Sequence, residues 1–152
     1  MKFLLLLMLL PVLARAELVE IRKVVEPGQG TKVMEWVRKI GDRDQKEELT
    51  LSDEVIIRTT DIKEARATNQ GSVAQIWVSL TEKGGKKLSE ATKDVQKLTL
   101  EKKPRFAIIV DGKVVSAPIV RTELSTSFNI SGLDSMEEAN AVAAKLNSAA
   151  AK

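Results

Sequence analysis

Arg105-Phe106-Ala107-Ile108-Ile109-Val110-Asp111-Gly112-Lys113-Val114-Val115-Ser116-Ala117-Pro118 is the stretch that decides the fold. From Phe106 to Val110 it is unbroken apolar sequence, the pattern of a strand covered on both faces. Asp111-Gly112 then supplies two residues that tolerate positive φ, as a tight two-residue hairpin requires. Residues 113–117 return as the partner strand. Pro118 has no amide hydrogen and ends regular pairing there. Asp111, Gly112, Ser116 and Pro118 therefore read as a structural motif of turn, strand end and bend.

Working outward, residues 73–80 alternate as a strand. Ala74, Ile76, Val78 and Leu80 form the expected core face, and Trp77 lies on the opposite one. Thr81 is placed to cap a helix, with Glu82 at its positive end. Leu88, Ala91, Val95 and Leu98 form the apolar stripe of that helix. Gly84 and Gly85 each cost about 1 kcal/mol against alanine in its first turn, which predicts close backbone packing or a loosened start. Further upstream, residues 18–25 and 31–40 read as strands around a turn at 27–30, with a helix as the competing reading for 31–40. Residues 41–48 read as a charged loop, 49–51 and 55–58 as short strands, and 61–67 as a short helix capped by Thr60 or Asp61. Downstream, residues 128–131 form a strand ended by Gly132. Ser135 and Glu138 make a capping box for a last helix with Met136, Ala139, Val142, Ala143 and Leu146 on its apolar side. The order from residue 73 is β-α-β-β-β-α. The expected fold is α+β, a small mixed or antiparallel sheet with two main helices packed on one face.

The first sixteen residues have a different character. Lys2 precedes an apolar run over residues 3–10, extended by Val12 and Leu13, and Ala14-Arg15-Ala16 follows as a small-residue cleavage site. The run is well short of the roughly 20 apolar residues that span a bilayer. It reads as a cleaved signal peptide with Ala14 and Ala16 at the cleavage positions, so the expected location is the periplasm or the extracellular space. No later stretch approaches membrane-spanning length. The chain has 24 basic and 21 acidic residues; without Lys2 and Arg15 the balance is 22 against 21, a net charge of +1. Near-neutrality and 3% aromatic content, with no basic run, argue against nucleic-acid binding.

The expected organisation is signal at 1–16, N-terminal strands and charged loop at 17–48, an α+β domain at 49–148 and a frayed tail at 149–152. The absence of histidine removes the commonest general base and zinc ligand. The absence of cysteine means a core without disulfides, although an exported protein could carry them. Asp42-x-Asp44 begins like a calcium loop, but the sixth and twelfth positions hold Glu47 and Asp53 rather than glycine and glutamate. Neither Gly28-Gln29-Gly30-Thr31-Lys32 nor Gly84-Gly85-Lys86-Lys87 has phosphate-loop spacing. No cofactor and no metal is expected. Trp36, Trp77, Ile119, Val120 and Phe128 are the residues able to line an apolar polypeptide-binding groove, although such residues more often fill a core.

Residues 105–118 resemble the R-x-A-I-x-x-D-G-x-V-x-S-A-P segment of SecD, a membrane subunit of protein export. Thr81-Glu82-Lys83-Gly84-Gly85-Lys86-Lys87-Leu88-Ser89-Glu90-Ala91-Thr92 is similar to that family's helix start, with Gly85 in place of the usual alanine and Leu88 in place of the usual phenylalanine. Ile130-Ser131-Gly132, Met136-Glu137-Glu138-Ala139-Asn140 and Leu146 resemble its close, and residues 61–67 resemble an upstream helix. The resemblance covers roughly residues 49–147 and corresponds to the head of the first periplasmic domain. It implies a non-catalytic module that contacts protein, either an unfolded preprotein or a translocase or envelope component, by a sheet edge or an apolar groove. The alternatives are a structural or inhibitory envelope protein without a transport role, or an enzyme using carboxylates or a Ser/Lys pair. Oligomeric state is open.

Overall fold

The computed structural model describes residues 17–151. The expected signal segment, with Ala14 and Ala16, lies outside the described residues. The strands are β1 Val19–Val25, β2 Lys32–Ile40, β3 Arg43–Leu51, β4 Ile57–Arg58, β5 Ile62–Gln70, β6 Val73–Leu80, β7 Phe106–Val110, β8 Lys113–Ser116 and β9 Ser127–Ile130. The helices are α1 Glu82–Thr92 and α2 Met136–Ala150.

The fold is α+β, and its strands form two antiparallel sheets rather than the single sheet expected. One has the order β2-β3-β1-β7-β8, with β4 beside β1; the other has the order β5-β6-β9. Helix α2 lies against β5 and β6, and α1 against β4 and β6. All five residues of β7 are buried because each of its faces meets a different core. Phe106, Ile108 and Val110 join the main core with Ile76, Val78, Ile130 and the helices; Ala107 and Ile109 join a smaller one with Leu49, Leu51, Val114 and Ala117. The continuous apolar run that decided the fold is thus the wall between two cores. At its end Asp111 (φ 52°) and Gly112 (φ 79°) both take positive φ, so the turn has the type I′ geometry the dipeptide favours.

Residues 61–67 are not a helix. Thr59–Asp61 is a single 3-10 turn, and Ile62 opens β5. A register irregularity between Ile62 and Glu64 leaves Lys63 as an extra residue, so Ile62 and Ala65 both face inward at a spacing of three. A bulged strand therefore imitates helical spacing. Residues 43–48 are not a loop either. They form the outer part of β3, paired along its whole length with β2. The arm is exposed there, so charge occupies both faces and no apolar alternation marks it. The alternation on β6 is as expected, with Ala74, Ile76, Val78 and Leu80 buried.

Helix α1 begins at Thr81, whose hydroxyl accepts from Gly84 N at 3.1 Å. It stops at Thr92, because Asp94 takes a left-handed conformation (φ 58°) and a 3-10 turn follows. The predicted stripe holds at Leu88 and Val95, which are buried, and fails at two positions: Thr92 is buried where Ala91 was expected, and Leu98 is exposed. At α2, Ser135 Oγ accepts from Glu138 N at 3.1 Å. The returning bond runs from Asp134 N to Glu138 Oε2 at 2.7 Å, one residue earlier than a standard capping box. Helix α2 continues to Ala150, halfway into the segment 149–152 expected to fray.

Candidate functional site

An apolar cleft of about 320 Å³ opens between the two sheets. Its walls are Ile21 of β1, Phe106 and Ile108 of β7, Leu88 of α1, Trp77 of β6 and the first three residues of β9. Pro118, Val120 and Leu124 complete it from the segment between β8 and β9. None of these residues is charged, and only Ser127 and Asn129 contribute polar side chains. A second, wider concavity of about 690 Å³ has Lys23, Lys86, Lys87, Glu54 and Glu90 around it, and is a solvated charged surface by comparison.

The segment over residues 118–126 is irregular, but it is tied down at several points. Leu124 N donates to Thr92 Oγ1 at 2.8 Å, and Thr92 Oγ1 donates to Leu88 O at 2.8 Å. Ser89 Oγ donates to Glu123 Oε1 at 2.6 Å, and Lys103 Nζ donates to Arg121 O at 3.1 Å. Gly85 belongs to the same contact, because a Cβ there would lie 2.7 Å from Ser125 O. Gly84 is equally constrained, its Cβ position lying 2.7 Å from Asp61 O. The two helix-start glycines thus serve close backbone packing, one of the two readings of the sequence. Asp61 is itself buried, and both its oxygens accept from Lys87 Nζ, at 3.0 and 2.9 Å.

The five apolar candidates separate into two groups. Trp77, Val120 and Phe128 meet at the cleft. Trp77 is half-buried, with the Arg66 guanidinium 5.5 Å from its ring centre. Ile119 is 41% exposed and lies outside the cleft lining, its backbone bridged to Arg105. Trp36 is on the other side of β7. It covers the smaller core between two guanidinium groups, Arg38 at 4.9 Å and Arg105 at 5.7 Å from its ring centre. Arg105 is held there by Glu47, to which it donates at 2.8 and 3.4 Å. The hydrogen bond from Arg105, with the nearby positive charge, keeps the Glu47 carboxyl below its ordinary range. Pro118 of the hairpin motif also lines the cleft, whereas Asp111 and Gly112 form the distant turn. Leu88 was read from sequence only as part of a helix's apolar stripe, and Leu124, Ser127 and Asn129 were not singled out as cleft residues. They come from α1, the segment before β9 and β9 itself, and nothing in local spacing brings these three parts together.

Among the described residues no helix is long and apolar enough to cross a membrane, and no cluster of three or more acidic residues could hold a metal. The fold and its cleft define a two-sheet α+β module with an uncharged apolar recess. A family model described as the SecDF P1 head subdomain matches residues 34–151, and the chain belongs to that family. The protein translocase subunit SecDF of Thermus thermophilus is 34% identical over 95 residues, which are 61% of this chain and 12% of that protein. A crystal structure of SecDF in a super-membrane-facing form superposes with a TM-score of 0.62 at 26% identity, over 87% of this chain and 19% of the other. A structure described as a membrane component SecDF that enhances protein export gives the same TM-score and identity, over 87% of this chain and 62% of the other. The chain therefore spans about an eighth of the curated relative and less than two thirds of either solved structure.

Proposed function

We propose that this chain is a non-catalytic, extracytoplasmic polypeptide-binding module that serves protein export, with the cleft at Trp77, Val120 and Phe128 as its contact site. The observation that carries the proposal is the cleft's chemistry: aromatic and aliphatic walls, two neutral polar side chains and no charge. Such a surface suits the side chains of an unfolded chain, which a charged site would repel through desolvation. Membership of the SecDF head family supports the export context, and the signal-like N-terminus supports an extracytoplasmic location.

The test is equilibrium binding of a reduced, alkylated and permanently unfolded protein to the chain. The expected result is saturable binding that Trp77→Ala with Phe128→Ala weakens by about tenfold or more. Trp36→Ala is expected to leave binding unchanged, because Trp36 lies across β7 from the cleft. Absence of binding to unfolded polypeptide would overturn the proposal.

A further inference from the structure

β9 ends its sheet and pairs with β6 alone. Leu80 N donates to Thr126 O at 2.9 Å, which makes 80 and 126 a hydrogen-bonded pair. Antiparallel alternation from there turns the backbone of Phe128 and Ile130 toward Val78 and Ile76. The N–H and C=O groups of Ser127 and Asn129 consequently point to the open side. Among the described residues they have no hydrogen-bond partner there. Ser127 and Asn129 line the cleft from one face of β9 and Phe128 lines it from the other, so the cleft runs along the strand's free edge.

Free edges are ordinarily blunted by charge or proline, which discourage stray pairing. The other strands that end a sheet follow this rule. β2 carries Lys32, Glu35, Arg38 and Lys39; β5 carries Lys63, Glu64 and Arg66; β8 begins with Lys113. β9 is Ser-Phe-Asn-Ile, with neither charge nor proline. Among the described residues, the one edge without such protection is the one beside an uncharged apolar recess.

We infer that β9 receives an added strand. An extended, uncharged segment of another polypeptide pairs its backbone with Ser127 and Asn129 and sets alternate side chains into the cleft beside Phe128 and Val120. The inference rests on the polypeptide-binding reading and gives it a mode. Backbone pairing supplies affinity for many sequences, and the neutral cleft selects against charge at every second position.

The probe is a capped peptide of about ten residues, alternating valine and threonine with a lysine at each end. Two further versions carry N-methyl groups, one on all valines and one on all threonines. One of the two is expected to bind about tenfold or more weakly and the other to keep its affinity, because only one set of amides faces β9. On the protein side, peptide addition is expected to slow amide exchange at Ser127 and Asn129. Asn129→Pro removes an amide that points away from β6, and is expected to fold and to lose peptide binding. Equal affinity of both methylated peptides, with binding still lost in Trp77→Ala with Phe128→Ala, would overturn strand addition and leave the polypeptide-binding reading standing. No binding of any peptide or of unfolded protein would overturn both. A dimer that forms without peptide and is abolished by Asn129→Pro would assign the edge to a second copy of this chain and overturn the inference.

Discussion

Thr92 shows how much one hydroxyl decides at the residue scale. It is fully buried, receives the Leu124 amide and gives its proton to Leu88 O. Thr92→Val keeps the shape but leaves the partly buried Leu124 N–H without its acceptor. The expected cost is about 1–3 kcal/mol, read as a lower urea midpoint with an unchanged slope. Because Leu124 lines the cleft, polypeptide binding is expected to fall as well. Trp36 and Trp77 carry the opposite lesson. They are the same residue type, and sequence offers both as candidates for a groove, yet one covers the smaller core and the other the cleft. Their separation depends on which face of β7 each approaches, and no local pattern encodes that.

At the scale of elements, the hairpin over residues 105–118 was legible because its causes are local. Five consecutive apolar residues mark a strand buried on both sides, and Asp-Gly marks the turn. Gly112→Ala places a Cβ in open space but keeps φ at 79°, so strain without collision is expected. The predicted loss is about 1–2 kcal/mol in chemical denaturation, with no change in polypeptide binding. The outer part of β3, residues 43–48, and β5 were not legible, for two different reasons. β3 is an exposed arm specified by pairing with β2 rather than by burial. β5 contains a bulge, and its inward residues recur at three instead of two. Helix α1 was read correctly at its cap and too long at its end, since Asp94 breaks it where the apolar spacing continues.

For the whole molecule, the two cores share β7, and ion pairs fasten strands around them. Arg105 joins β3 to the start of β7 through Glu47. At Glu20, burial raises the carboxyl's proton affinity, but Arg22 and Lys32 outweigh it and the net shift is downward. Glu47 and Glu20 therefore both have folded-state affinities for protons below their unfolded ones. Their contribution is complete above the ordinary value of 4.5 and is lost as pH falls through the lowered folded values. Stability is expected to decline below about pH 4.5, and Glu47→Gln is expected to reduce that decline. The effect stays below about 1 kcal/mol because the Glu47–Arg105 pair is about one third exposed and screened. Urea titrations at neutral pH and at about pH 3 compare the two proteins directly. An equally steep acid decline in Glu47→Gln would show that this pair is not among its causes.

By itself the sequence determined the central hairpin, the start of both helices, the core face of β6, the α+β class and the family resemblance. These depend on neighbours within a few residues, where backbone sterics, capping and side-chain periodicity act directly. The tertiary structure alone decided that there are two sheets, that residues 43–48 extend β3 and residues 62–70 form β5, and that Trp77, Val120 and Phe128 meet while Trp36 and Ile119 do not. It also left the hairpin with a role the sequence did not show. β7 divides two cores, and the Pro118 bend after β8 turns the chain into the segment that walls the cleft. The physical reason is that a cleft is made by side chains distant in sequence, and their convergence is set by long-range packing that no local spacing records.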